Sequence, residues 1–168
     1  MTAKPSDSSS TASSSAAAGG PFVLTSTAFA DGDAIAREFS CDGANVSPPL
    51  KWTGVQAGTA ALVLVVDDPD ARGFVHWLVL DLPGRDGDLP KGVVPTAASP
   101  QQGRNDFGQA GWGGPCPPSG THHYCFTLTA LGAPLGLGDH PAGGDVRKAL
   151  GQTMVLGKAT LTGTYRRG

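Results

Sequence analysis

From Phe22 onward, apolar and polar residues alternate with a period of two in short runs, separated by clusters of Gly, Pro and Asp. This is the pattern of antiparallel strands joined by turns. The run AALVLVV (60–66) is apolar throughout and stops at DDPD, where Pro69 has no N–H for a ladder and marks the strand's exit. FVHWLVLDLP (74–83) reads as a central strand buried on both faces, with His76, Leu78 and Leu80 on one and Val75, Trp77 and Val79 on the other. In YCFTLTAL (124–131) Tyr124, Phe126, Leu128 and Ala130 share a face, and the same phase carried backwards sets His122 beside Tyr124. KATLTGTYR (158–166) is a last strand with Ala159, Leu161 and Tyr165 inward. One helix is predicted, from Val146 to Leu156, with Asp145 as its N-cap and Val146, Ala149, Leu150 and Thr153 along one stripe. The stretch from Asp86 to Trp112 reads mostly as loop.

Composition narrows the class without naming a function. A chain of 168 residues, 39% apolar and 15% charged, suits one globular domain over residues 21–168. The formal charge is −2, and no basic run is longer than a pair such as the terminal Arg166–Arg167, so the electrostatic footprint of a nucleic-acid binder is missing. Residues 1–20 hold seven serines and five alanines with little to bury, and are expected to be a disordered tail rather than a secretory signal. No stretch reaches the length of a membrane span. Cytoplasm is therefore the expected location. Three cysteines, Cys41, Cys116 and Cys125, are expected as free thiols in such a chain. A Cys41–Cys116 bridge stays open as the alternative, because both lie in Gly/Pro-rich contexts that folding can bring together.

Candidate chemistry gathers in three places. DDPD puts Asp67, Asp68 and Asp70 at a strand's end, His76 stands inside the next strand, and GGPCPPSGTHHY (113–124) brings His122 and Tyr124 to a strand's entrance. Each alone has a plain structural role: an Asp that caps a turn, a hydrogen-bonded core histidine, an uninformative H-x-Y. Together, a carboxylate that fixes imidazole tautomers, two imidazoles and a phenol suit a phosphate or carboxylate ligand, bound better at lower pH. The N–H groups of Gly113 and Gly114 are further candidate donors. G-x-S-x-G, P-loop, H-E-x-x-H and C-x-x-C motifs are absent. A zinc site from Asp68, His76 and His122, and a Cys116 nucleophile with His122 as base, are weaker alternatives.

The same segments resemble the phosphatidylethanolamine-binding proteins, also called Raf kinase inhibitor proteins, in their bacterial branch. The matching pieces are CDGANVSPPLKW (41–52), VVDDPDA (65–71), FVHWLVLDLP (74–83), GRNDFGQAGWGGPCPPSGTHHYCFTLTAL (103–131) and the terminal helix and strand. The resemblance implies a mainly β fold, with a large antiparallel sheet packed on a smaller one, Greek-key connections and a C-terminal helix. It also implies an anion pocket built from Asp68, His76, His122 and Tyr124, with Asp70 as second acid and a rim at Phe74, Gly114, Cys116 and Pro117. No cofactor is expected. Partners implied are a phospholipid headgroup or other small anion, with a kinase or protease as the protein whose activity is modulated. An acid/base enzyme using the same pocket is the runner-up, and protease inhibition through RDGDLPKG (85–92) as an exposed loop is a weaker idea. Two positions depart from the family pattern: Arg72 replaces a usual proline, which would add a cation to the rim, and Met154 stands where histidine is common.

Overall fold

A computed structural model describes residues 20–95 and 97–167. The tail expected over residues 1–20 thus lies, apart from Gly20, outside the described residues. In chain order the elements are β1 (Val23–Thr25), β2 (Leu50–Thr53), β3 (Ala61–Asp68), β4 (Phe74–Pro83), β5 (Gly87–Leu89), β6 (Gln101–Gln102), β7 (Gly120–Leu131), α1 (Gly143–Gly151) and β8 (Val155–Arg167). Short 3-10 turns lie at Arg37–Phe39 and Pro69–Ala71.

Two antiparallel sheets result. The larger runs β8-β7-β3-β4-β6 and the smaller β1-β2-β5. Within the larger one, β7 returns to lie beside β3 instead of continuing from β6, which is the fourth-strand return of a Greek key. Alternation explains what each face buries. One face of the large sheet sends Leu62, Leu64, Val66, Phe126, Leu128 and Leu161 against Leu24, Leu50, Trp52 and Leu89 of the small sheet. Its other face sends Val63, Leu78, Leu80 and Leu131 against Val146 and Leu150 of the helix. Inside the main core, Trp77 Nε1–H donates to Gln102 Oε1 at 2.8 Å, so the buried amide and indole satisfy one another.

Three expectations are corrected here. The helix spans Gly143–Gly151, not 146–156, and begins after Ala142, leaving Asp145 in its first turn. It ends early because Val155 pairs with Leu131 across the sheet edge, so tertiary pairing takes residues that helical periodicity would have kept. Segment 85–92 is not a free loop: Gly87–Leu89 pairs with β2, Leu89 is buried, and Arg85 O accepts from Trp52 Nε1–H at 3.0 Å. Cys41 and Cys116 form a disulfide with Cα atoms 5.4 Å apart, leaving Cys125 as the one free cysteine among the described residues. The expectation of free thiols rested on an assumed compartment, whereas the pairing depends on where folding brings the two loops.

Candidate functional site

Asp68 ends β3 because Pro69 follows it, and its side chain fills the structural and the chemical role together. Oδ1 accepts from Asp70 N–H at 2.8 Å, capping the Pro69–Ala71 turn, while Oδ2 accepts from His122 Nδ1–H at 2.6 Å. Only 4% of the Asp68 side chain and 17% of that of His122 meet solvent. A carboxylate accepts, so His122 carries its proton on Nδ1 and Nε2 is bare in the neutral ring.

His76 reaches the same place through a β-bulge. Opposite β3, Val66 faces Trp77 and Asp67 faces Val75, so His76 is one residue too many on β4. The surplus residue flips the phase of the strand. Val75 joins Leu78 and Leu80 on the helix side, whereas Trp77 and Val79 enter the main core. Strict alternation had put Val75 with Trp77, and the bulge is the reason it does not. Released from the ladder, the His76 ring packs 5.1 Å from Phe74, 5.1 Å from Tyr124 and 5.5 Å from Phe107, centroid to centroid. Its Nδ1–H donates to Gly113 O at 2.7 Å, which again leaves Nε2 as the unprotonated nitrogen of the neutral ring. Burial pushes the His76 imidazole below its ordinary value, while the Gly113 bond and the Asp68 charge oppose that shift.

His122 and Tyr124 sit two apart on β7 and point together, as alternation requires. Burial pushes the Tyr124 phenol above its ordinary value, and the Asp68 and Asp70 charges add to the shift, so the hydroxyl keeps its proton and can donate.

These groups line one cavity of about 190 Å³: Asp68, His76, His122 and Tyr124, with Phe74, Cys116 and Pro117 from the expected rim. Three lining residues were not foreseen, namely Ala71, Phe107 and Pro118. Phe107 had a signal in the sequence, a large apolar residue inside a polar turn.

Two candidate residues are placed elsewhere. Gly114 does not line the cavity; its N–H donates to Asn45 Oδ1 at 2.8 Å, and the Gly113 N–H donates to His76 O at 2.9 Å. Neither N–H is left for a ligand. Gly114 is glycine because a Cβ there would run into the Phe39 carbonyl oxygen. Asp70 turns outward, accepting from His123 N–H at 2.8 Å and His123 Nδ1–H at 2.9 Å. That pairing holds the Asp70 carboxyl below its usual range. Arg72 adds no cation to the rim: with φ 59° it turns the chain, and its exposed side chain is not among the lining groups. Met154, 70% exposed, is also outside the cavity.

Cys116 is spent in the disulfide, which removes the thiolate that a nucleophilic role requires. Around it, Cys41 N–H donates to Pro115 O at 3.1 Å and Trp112 Nε1–H donates to Phe39 O at 3.0 Å. Segments 39–45 and 112–116 are therefore tied by bridge and backbone together. Among the described residues no group of three or more His, Cys, Asp or Glu side chains is arranged to hold a metal ion.

A Greek-key sheet with a buried imidazole–carboxylate pair lining a cavity at the end of its central strands defines a protein of mainly β class. The model of the phosphatidylethanolamine-binding protein family matches residues 25–166, and the chain belongs to that family. A UPF0098 protein of Methanothermobacter thermautotrophicus is 42% identical over 150 residues, 86% of this chain and 99% of that protein. LppC of Mycobacterium tuberculosis, named as a candidate lipoprotein, is 44% identical over 149 residues, 86% of this chain and 72% of that one. Among solved structures, YbcL of Escherichia coli, described as a member of the mammalian family, superposes with a TM-score of 0.80 at 32% identity, covering 88% of this chain and 99% of that one. A candidate family homologue from Chlamydia trachomatis gives 0.79 at 32% identity, with 88% and 98% covered. No helix among the described residues is long and apolar enough to cross a membrane.

Proposed function

We propose that the protein binds a small anionic group, phosphoryl or carboxylate, in the cavity between β3, β4 and β7. The observation that carries this is the meeting of His76, His122, Tyr124 and Asp68 in one opening. Three of these are donors or become donors on protonation, and among the described residues no lysine or arginine lines the cavity. Both imidazoles use their Nδ1–H on protein acceptors. Each therefore offers an N–H to a ligand through Nε2 only after taking a second proton, and anion binding is coupled to proton uptake. The anion can be a free metabolite, a phospholipid headgroup or the phosphoryl group of a protein partner such as a kinase, all of which present the same terminal oxygens.

Binding fits the groups present better than turnover does, because Cys116 is blocked and among the described residues no serine, threonine or lysine lines the cavity. One observation favours acid/base catalysis as a second reading: the 2.6 Å His122–Asp68 pair has the form of an oriented general base. Titration with inorganic phosphate, phosphoethanolamine and acetate, followed through the ring signals of His76 and His122, separates the cases. Saturable shifts with unchanged ligand support binding. Unshifted rings at millimolar ligand reject it, and conversion of a ligand points to catalysis.

The disulfide bears on location. Bridges persist in oxidising compartments and are reduced in the cytosol of mesophiles. The Cys41–Cys116 bond therefore favours an extracytoplasmic site over the cytoplasm expected from sequence, and fractionation of the native host would decide.

A further inference from the structure

Phe107 is unusual among the aromatic residues: 47% exposed, it stands at the cavity instead of in a core. The chain holds it there with some care. Asn105, only 3% exposed, accepts from Phe107 N–H at 3.0 Å and Gln109 N–H at 3.2 Å, and donates to Gly111 O at 2.9 Å. Asp106 clamps the same turn onto β4, accepting from Val75 N–H at 2.8 Å while its own N–H donates to Val75 O at 2.9 Å. Gly113 makes room for the ring, since a Cβ there would run into Phe107. The ring meets Phe74 at 4.8 Å, edge-on at 69°, and His76 at 5.5 Å, edge-on at 73°. Phe74, His76, Phe107 and Tyr124 thus form a continuous aromatic wall leading from solvent to the imidazoles.

Resting on the anion-binding reading, we infer that Phe107 is a specificity-determining residue, and that the preferred ligand carries its anionic group on a flat apolar body: an aryl phosphate or aryl carboxylate. About 190 Å³ is little more than the roughly 150 Å³ apolar cavity that holds a benzene ring. A phosphoryl group at the histidines therefore leaves the rest of the ligand passing Phe107 at the mouth. An aromatic wall would also suit an ammonium group through its ring faces. The acid that would complete such a cage is already engaged, with Asp68 Oδ1 on Asp70 N–H and Oδ2 on His122. Among the described residues no second carboxylate lines the cavity, which favours an apolar plane over a cation.

The test compares phenyl phosphate, methyl phosphate and phosphocholine on the wild type, Phe107→Ala and Phe107→Leu, by calorimetry and by the His76 and His122 ring signals. An added aromatic contact predicts phenyl phosphate bound about three- to tenfold more tightly than methyl phosphate by the wild type. In Phe107→Ala that preference falls below about twofold, with Phe107→Leu between. The readout is the ratio of phenyl to methyl phosphate affinity within each protein, so a change at the anion site common to both ligands cancels, and a cooperative thermal transition shows that each variant is folded. A preference that survives in Phe107→Ala, or a wild type that prefers phosphocholine, overturns the inference while leaving the anion site standing. If none of the three ligands shifts the wild-type histidine signals, the anion reading itself fails and this inference goes with it.

Discussion

Replacing Asp68 by asparagine tests whether its two carboxylate oxygens are both required. The side chain is almost fully buried and accepts from two donors, Asp70 N–H at 2.8 Å and His122 Nδ1–H at 2.6 Å. Asparagine has nearly the same shape but only one oxygen, so one donor faces an amide NH2 whichever way the group is turned. A buried donor left without an acceptor costs about 1–3 kcal/mol, and more when the lost partner was charged. At about 2–4 °C per kcal/mol for a chain of this size, Tm should fall by roughly 3–10 °C. Binding should suffer as well, because the charge that faces a protonated His122 is gone. A hydrogen bond to a charged group contributes about 1 kcal/mol more than a neutral one, which corresponds to roughly five- to tenfold in the phosphate Kd. The opposite effect, relief of repulsion between Asp68 and the anion, is present too, but that negative charge already faces His122. Urea unfolding with and without phosphate measures both quantities. A variant within about 0.5 kcal/mol of wild type that binds phosphate as tightly would refute the two-oxygen account.

Three further outcomes follow from the geometry. Cys116→Ser, or reduction of the wild type, opens a loop with a sequence separation of 75; chain entropy puts the loss at about 4 kcal/mol, read from urea midpoints with and without dithiothreitol. A loss under about 1 kcal/mol would mean that the backbone bonds between segments 39–45 and 112–116 hold the rim alone. Stability should decline as pH falls below about 6.5: His76 is depressed in the folded state, the unfolded chain takes the proton first, and the contribution present above the unfolded value is lost through the folded one. A wild type whose unfolding free energy has the same slope as that of His76→Gln between pH 5 and 8 would contradict this. Gly114→Ala should destabilise by several kcal/mol although it touches no ligand, because its methyl meets the Phe39 carbonyl that accepts from Trp112; a thermal scan within 2 °C of wild type would show that the loop can yield.

The strands were legible because period-two alternation is a local consequence of burying one face. His122 and Tyr124 were legible for the same reason, their spacing fixing which way each points, whereas Asp68 was singled out from Asp67 and Asp70 by the family resemblance. His76 was found as a residue, but its direction was not. VHWLVL is apolar on both faces, so nothing in it announces the surplus residue that the pairing with β3 reveals. Gly114 was read as a ligand contact when it is a close-approach position, because a glycine's neighbours come from distant chain segments. Asp70 was drawn into the site by its place in D-P-D, whereas the turn capped by Asp68 points it at His123. The disulfide stayed open because pairing depends on two loops 75 residues apart. Phe107 escaped because its support, Asn105 and Asp106, lies in a turn whose hydrogen bonds have no periodic signature.

The central claim is tested most directly by a crystal structure soaked in phosphate near pH 6. The account places the anion between β3, β4 and β7, with oxygens within hydrogen-bond reach of Nε2 of His76, Nε2 of His122 and the Tyr124 hydroxyl, and with lower occupancy near pH 8. Phosphate bound elsewhere while that cavity holds only water, or occupancy that does not change with pH, would contradict it.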